Sequence, residues 1–260
     1  MLILASASPR RRELLTQAGY KFQIHPAHIP EDPHPNEDPI AYVTRLARQK
    51  AEAVYNEIVG KETDAGVPGL DDRGPQRQVF VVGVEETWES TTPNQQPLVV
   101  LGADTTLTPD NQIPGKPAGA PGLASETWES TPPDQQPLIV LGADTTVTLD
   151  SHILGKPENP EDAARMLRLL SGRTHRVITG VSLVSANRTE TAAEVTAVQF
   201  LTISEAEIQA YIATGEPNDK AGAYAIQGHA ARWIPRIEGC YFNVVGLPIA
   251  LVSTLLDQML

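Results

Sequence analysis

Ser8-Pro9-Arg10-Arg11-Arg12 sets three consecutive guanidinium groups behind a serine and a proline of helix-starting type. A helix N-terminus already offers N–H groups and partial positive charge, so it favours an anion. Three arginines at that end raise the electrostatic energy unless something negative binds there. The chain carries formal charge −12 with a pI near 4.9, so the cluster is no fringe of a basic surface. We read it as a grip for phosphate. Asp144 brings a second kind of chemistry. It follows the apolar run Leu138 to Gly142 and precedes Thr145 and Thr146, and α/β proteins place reactive groups at the carboxyl ends of central strands. Taken alone, the same residue reads equally well as a turn former bonding its own backbone.

Two lysines and a pair of acids extend this set. Lys50 lies four residues after Leu46 and four before Val54, which puts it on the apolar face of a helix. A lysine there either snorkels to the surface or reaches a buried anion, while Arg45 and Arg48 point elsewhere and face solvent. Lys156 lies just past a short hairpin, within reach of the cleft that Asp144 faces. Glu31-Asp32, set among prolines, could supply oxygen ligands to a divalent cation, although loop acids are more often simply solvated. Asp219-Lys220 reads as well as a surface pair. Gln227 carries an amide suited to a base edge. The six histidines show no metal-binding spacing.

These residues need elements to hold them. Leu2 to Ala5 is a short strand. A helix follows with Ser8 as cap, Leu14, Leu15 and Ala18 as its stripe, and Gly19 as its stop. Asp38-Pro39 starts a second helix with Ile40, Val43, Leu46, Ala47, Val54 and Ile58 at helical spacing. Leu138 begins a strand and short hairpin. Asn159-Pro160 then opens a helix with Ala163, Met166, Leu167 and Leu170 on one face and Gly172 at its end. Arg176 to Ser185 and Ala193 to Leu201 read as strands. Ser204-Glu205-Ala206-Glu207 is a capping box, and a last helix begins at Pro248. Strands interleaved with single helices predict an α/β domain with a mixed sheet.

A direct repeat interrupts this order. Residues 86–117 match 126–157 at 24 of 32 positions, which marks a recent tandem duplication. Two copies are too few for a solenoid, so one is expected in the core and the other in a surface excursion. The second copy runs into the capped helix at Asn159. The first runs into Ala118-Gly119-Ala120-Pro121-Gly122 and carries Pro109 and Pro114 where the second has Leu149 and Leu154. Proline removes a ladder donor, so the second copy is expected to be the working one.

Composition sets outer limits. At 260 residues and 41% hydrophobic content, one large core or two small lobes can form. The acidic balance argues against a nucleic-acid polymer or an anionic membrane as partner. A single cysteine, Cys240, suits a reducing compartment. No apolar run reaches membrane-spanning length and no signal-peptide pattern opens the chain, so a cytoplasmic protein is expected.

Seven stretches together resemble one family. They are Ser-Ala-Ser-Pro-Arg-Arg at 6–11, Leu-Ala-Arg-Gln-Lys at 46–50, Leu-Gly-Ala-Asp-Thr at 141–145 and Gly-Lys-Pro at 155–157. Leu-Ser-Gly-Arg-Thr-His at 170–175, Asp-Lys-Ala-Gly-Ala-Tyr-Ala-Ile-Gln-Gly at 219–228 and Val-Val-Gly-Leu-Pro at 244–248 complete the series. In order and spacing they resemble the Maf (septum-formation-inhibitor-like) nucleoside triphosphate pyrophosphatases. The resemblance covers about 1–60 and 138–260, and 61–125 departs from it as an insertion in a single domain.

The resemblance implies a mixed, twisted β-sheet with flanking helices and two lobes around a nucleotide cleft, an architecture shared with inosine triphosphatases. It implies hydrolysis between the α- and β-phosphates of a nucleoside triphosphate, with magnesium or manganese as cofactor. Asp144 corresponds to the family's proton acceptor, with Lys50 and Lys156 beside it. Ser8, Arg10 and Arg11 correspond to phosphate contacts, and Glu31 to an acid lining the site, where it would share the metal with Asp144. Arg10, Thr145 and Gln227 stand at positions that track substrate choice, in the combination of the dTTP/UTP-type subgroup. A homodimer is implied as well. Two other readings stay open on sequence alone: an inosine-triphosphate-type purine pyrophosphatase, and a nucleotide-binding regulator of cell division without turnover.

Overall fold

The computed structural model describes residues 1–64, 137–150 and 152–259, which all belong to one folded unit. The first copy of the repeat, 86–117, lies outside the described residues, as does the start of the second.

Strand β1 (Leu2–Leu4) runs parallel to β2 (Phe22–Ile24) on one side and to β3 (Ile139–Leu149) on the other. Helix α1 (Pro9–Gln17) connects β1 to β2, with Ser8 at its N-cap and Gly19 in the left-handed region just past its end. Helix α2 (Pro39–Asp64) starts at Asp38, whose Oδ1 accepts the N–H groups of Ile40 and Ala41. It buries Val43, Leu46, Ala47 and Val54 of the expected stripe together with Ala51, while Ile58 is only partly buried and Ile40, in the first turn, is exposed.

The second copy of the repeat supplies β3 and the short β4 (His152–Leu154), which fold back on one another. Helix α3 (Pro160–Leu170) follows, capped by Asn159 Oδ1 accepting from Asp162 N at 2.8 Å. Strands β5 (Thr174–Val184) and β6 (Thr189–Gln199) form a long hairpin. Both begin earlier than their apolar runs suggest. Ser185 N donates to Arg188 O at 2.9 Å, and this tight turn lets Thr189 to Ala192 join the ladder although their side chains are mostly polar. Helix α4 (Glu205–Ile212) has the expected capping box between Ser204 and Glu207. Strand β7 (Arg236–Glu238), the short α5 (Tyr241–Val245) and α6 (Ile249–Met259) complete the unit.

Among the described residues the sheet has seven strands in the order β2-β1-β3-β5-β6-β7, with β4 paired to β3. It is mixed, as predicted: β1 is parallel to both its neighbours, while the other pairings are antiparallel. One face packs on α2 through Ile3, Val140, Ala51 and Val54. The other carries the larger core, where Leu167 and Leu170 of α3 meet Val147, Val177, Phe200 and Tyr211. No described helix is long and apolar enough to cross a membrane.

Two features of this frame position chemistry. First, α2 lies directly on the sheet at two glycines. A Cβ on Gly142 would stand 2.0 Å from the Ala47 carbonyl oxygen, and one on Gly180 would stand 2.3 Å from that of Val43. Gly180 is the ladder partner of Asp144, and Gly142 precedes Asp144 by two on the same face. Bare backbone at these points lets α2 approach until Lys50, three residues beyond Ala47, meets Asp144. Second, the edge of β3 is interrupted. β1 pairs with it only as far as Leu141, and β4 begins at Val147. Among the described residues, 142–146 therefore have no strand neighbour on that side, where the chain leaves β1 to enter α1.

Candidate active site

The interruption in β3 opens into a cleft of about 880 Å³. All nine positions singled out from sequence line it: Ser8, Arg10 and Arg11 from α1 and its cap, Glu31 from the loop after β2, Lys50 from α2, Asp144 and Thr145 from β3, Lys156 from just beyond β4, and Gln227 from the loop before β7. Asp219 and Lys220 line it too, and their side chains form an ion pair.

Lys50 is the centre of the arrangement. Its Nζ lies 2.7 Å from Asp144 Oδ1 and 2.6 Å from Glu31 Oε1. Lys50 and Asp144 are only 7% and 8% exposed, so this lysine reaches a buried anion rather than snorkelling. Glu31 is half exposed. Partial burial pushes its carboxyl up, but the Lys50 ammonium, with Lys156 and Arg11 behind it, holds it below the usual carboxylate range. Glu31 and Asp144 thus present two hard carboxylate donors, each with one oxygen on the Lys50 ammonium. That donor set fits magnesium or manganese, which take one or two protein carboxylates and complete their shell with phosphate oxygens and water. Among the described residues no group of three or more His, Cys, Asp or Glu side chains could cage a metal alone.

Arg11 lines the cleft, yet its donors go to protein. Nε donates to Gly246 O at 2.9 Å, and Nη1 donates to Ala143 O at 2.9 Å and to Ser6 Oγ at 3.1 Å. Nη2 donates to Thr145 Oγ1 at 3.1 Å. The guanidinium fills part of the unpaired edge of β3 and ties it to the β1 exit and to the turn after α5, while its charge still faces the cleft. The Thr145 hydroxyl is also 3.0 Å from Thr179 Oγ1, so its nearest neighbours are protein groups.

The loop that carries Glu31 is latched by Tyr42, which sequence reading did not single out, and by Arg45, which it placed in solvent. Tyr42 Oη donates to Glu31 O at 2.8 Å. Arg45, expected in solvent, instead forms a forked pair with Glu37 at 2.6 and 2.7 Å and donates to Asp32 O at 3.2 Å. Its partners come from a loop without periodic pattern. An aromatic and an arginine three apart, one turn ahead of the buried stretch, were the available signal.

Behind the cleft wall, His175 Nε2 lies 2.8 Å from Tyr224 Oη, and both rings pack edge-on against Phe200. Burial pushes His175 down to about 4. A neutral histidine in the folded state and a protonatable one in the unfolded state make stability fall with acid. The contribution is fully present above about pH 6.5 and is lost as pH drops towards 4, to a total of about 3 kcal/mol. Urea midpoints measured at pH 7 and pH 5 should therefore differ less in His175→Phe than in the parent chain. Equal differences would remove His175 from the account.

An α/β sheet with a roomy cleft at an interrupted central strand, where arginines and lysines stand beside a carboxylate, defines a class: a protein that handles an anionic ligand with a carboxylate at its centre. Comparison narrows it. The family model described as Maf-like protein matches residues 1–127 and again 120–259. A dTTP/UTP pyrophosphatase of Koribacter versatilis (strain Ellin345) is 39% identical over 257 residues, covering 99% of this chain and 93% of the relative. Proteins of the same name from Bacillus pumilus (strain SAFR-032) and Moorella thermoacetica (strain ATCC 39073 / JCM 9320) are 37% and 38% identical, each covering 98% of this chain. They are covered over 95% and 93% of their own lengths. The chain belongs to the Maf family.

Proposed function

We propose that the protein hydrolyses dTTP and UTP, or modified pyrimidine nucleoside triphosphates, to the monophosphate and pyrophosphate. The observation that carries this reading is Lys50 bridging Glu31 and Asp144 at the break in β3, inside a cleft where Arg10, Arg11 and Lys156 stand among carboxylates. A triphosphate brings about four negative charges, which accounts for Arg10, Lys156 and the N-terminus of α1 in the cleft. Ser8 suits a phosphate oxygen, since its hydroxyl makes no capping bond to its own helix. Arg11 braces the edge of β3 and adds charge.

Asp144 accepts the proton of a water that attacks the α-phosphorus; the bond to the bridging oxygen breaks and pyrophosphate leaves. Lys50 fixes the carboxylate's direction and offsets charge as it builds on phosphate. Glu31 and Asp144 would hold a divalent ion, whose charge would polarise the phosphate under attack. Lys156 faces the leaving pyrophosphate. Gln227 offers a donor and an acceptor to the O4/N3–H edge of uracil or thymine.

Pyrophosphate release from UTP, dTTP, CTP, ATP and GTP with magnesium or manganese tests the reaction. The expected result is turnover of UTP and dTTP above the others; no pyrophosphate from any of them would sink the enzyme reading. Gln227→Glu should lower kcat/KM for UTP by roughly tenfold relative to the other nucleotides, since a mismatched edge costs about 1–3 kcal/mol once the bound base covers it. Equal losses for every base would leave Gln227 with a structural part only.

A further inference from the structure

Gln227 sits in a turn, Ala225 to Gly228, closed by Gly228 N donating to Ala225 O at 3.1 Å. The Gln227 side chain is exposed and lines the cleft. A residue in such a turn reads a base only if the turn itself is held still, because each freely rotating bond or shifting backbone unit lowers discrimination.

Both ends of the turn are held by one pair of side chains that the proposed chemistry leaves unused. At its start, Ala225 N donates to Tyr211 Oη at 3.3 Å. Just past its end, His229 N donates to Glu216 Oε2 at 3.1 Å, and the same oxygen lies 2.7 Å from His229 Nδ1. The two anchors are joined to each other: Tyr211 Oη donates to Glu216 Oε1 at 2.8 Å. Tyr211 is fully buried, with its ring edge-on to Trp233 at 5.1 Å. Glu216 is 19% exposed at its side chain and opens a short turn behind Gly215. The fit is close enough that a Cβ on Gly228 would stand 1.9 Å from Glu216 Oε1. The turn therefore rests directly on the carboxylate, and only glycine at 228 permits it.

We propose that Tyr211 and Glu216 form a specificity clamp: positioning residues that fix the Ala225–Gly228 turn and so aim the Gln227 amide at the base. This rests on Gln227 being the base-reading group. The clamp bonds the turn's own backbone at its first residue and the backbone just beyond its last, and neither of its members lies among the cleft-lining side chains. Its influence therefore falls on where the base edge is met and not on the phosphates or on Asp144.

The test is steady-state kinetics of Glu216→Gln and Tyr211→Phe with UTP and CTP, repeated in a Gln227→Ala background. The carboxamide fills the volume of the carboxylate, but only one of its two ends accepts, so the chain keeps its fold while Tyr211 Oη and the His229 N–H no longer both have an accepting oxygen at 216. The UTP-over-CTP ratio of kcat/KM should fall about tenfold in either single variant, through a raised KM for UTP, with kcat within about twofold of the parent. In Gln227→Ala the same substitutions should change the ratio no further, because two residues acting through one group are not additive. Should Tyr211→Phe fold poorly, Glu216→Gln decides alone. If Gln227→Ala lowers the ratio while Glu216→Gln leaves it intact, the clamp is overturned. An equal loss of kcat for both nucleotides, or a further fall of the ratio in the double variant, overturns it too. If Gln227→Ala itself leaves the ratio unchanged, the base reading falls and takes the clamp with it.

Discussion

Asp144→Asn should lower kcat on the order of 10²-fold or more while barely changing the size of the side chain. The same exchange at Asp104 should be nearly silent. The two aspartates stand in identical Leu-Gly-Ala-Asp-Thr-Thr surroundings, so local sequence cannot separate their chemistry. The family pattern does not separate them either, since it runs from 1 through the first copy and from the second copy through 259. Tertiary position does. Asp144 lies on β3 opposite Gly180, with Lys50 2.7 Å away. Asp104 lies outside the described residues, and its copy carries Pro109 and Pro114 where β3 and β4 have Leu149 and Leu154. Removing 86–125 is accordingly expected to leave a folded, active enzyme, because long insertions between elements are thermodynamically tolerated. Kinetics of the two Asn variants beside the deletion settle this directly. A large loss at Asp104 with near-normal turnover at Asp144 would reverse the parts of the two copies.

Lys50→Met should remove activity on the order of 10²-fold and also destabilise the fold by about 3 kcal/mol. Asp144 is nearly buried and would be left facing Glu31 without the ammonium between them. Breaking a buried pair costs more than never having built it, so adding Asp144→Asn to Lys50→Met should restore most of the stability while leaving the chain inactive. Thermal midpoints of the two single variants and the double one measure this. If the double variant is less stable than both singles, the carboxylate and the ammonium are not coupled as their distance indicates.

Much of this site could be read from residue types and spacing. Lys50 stood out because a charged residue interrupted an apolar stripe at helical period, and that stripe faces the sheet that holds Asp144. The caps at Asp38, Asn159 and Ser204 are local, since each bonds a residue two or three positions on, and they fall where the sequence puts them. What escaped sequence reading depends on partners far along the chain. Nothing near Arg11 foretells that its donors go to carbonyls of Ala143 and Gly246. Arg45 seemed bound for solvent because its acid, Glu37, lies in a loop whose path no periodicity sets. Neither periodicity nor motif singles out Tyr211 and Glu216. Their joint hold on the turn before His229 exists only once α4 and that turn are folded together.

The contact of α2 with bare backbone at Gly142 and Gly180 has a bearing on how tolerance to mutation is distributed over the chain. Neither glycine takes part in any chemistry, yet even a methyl group at either position must push the helix outward and carry the Lys50 ammonium off its carboxylates. In a saturation scan of variants, these two positions should score with the titratable residues of the cleft and apart from ordinary core positions, where an apolar residue of similar volume is accepted. Genetic fragility at this site thus extends to residues that hold no charge and donate no side-chain hydrogen bond, because what they provide is the closeness of two backbones.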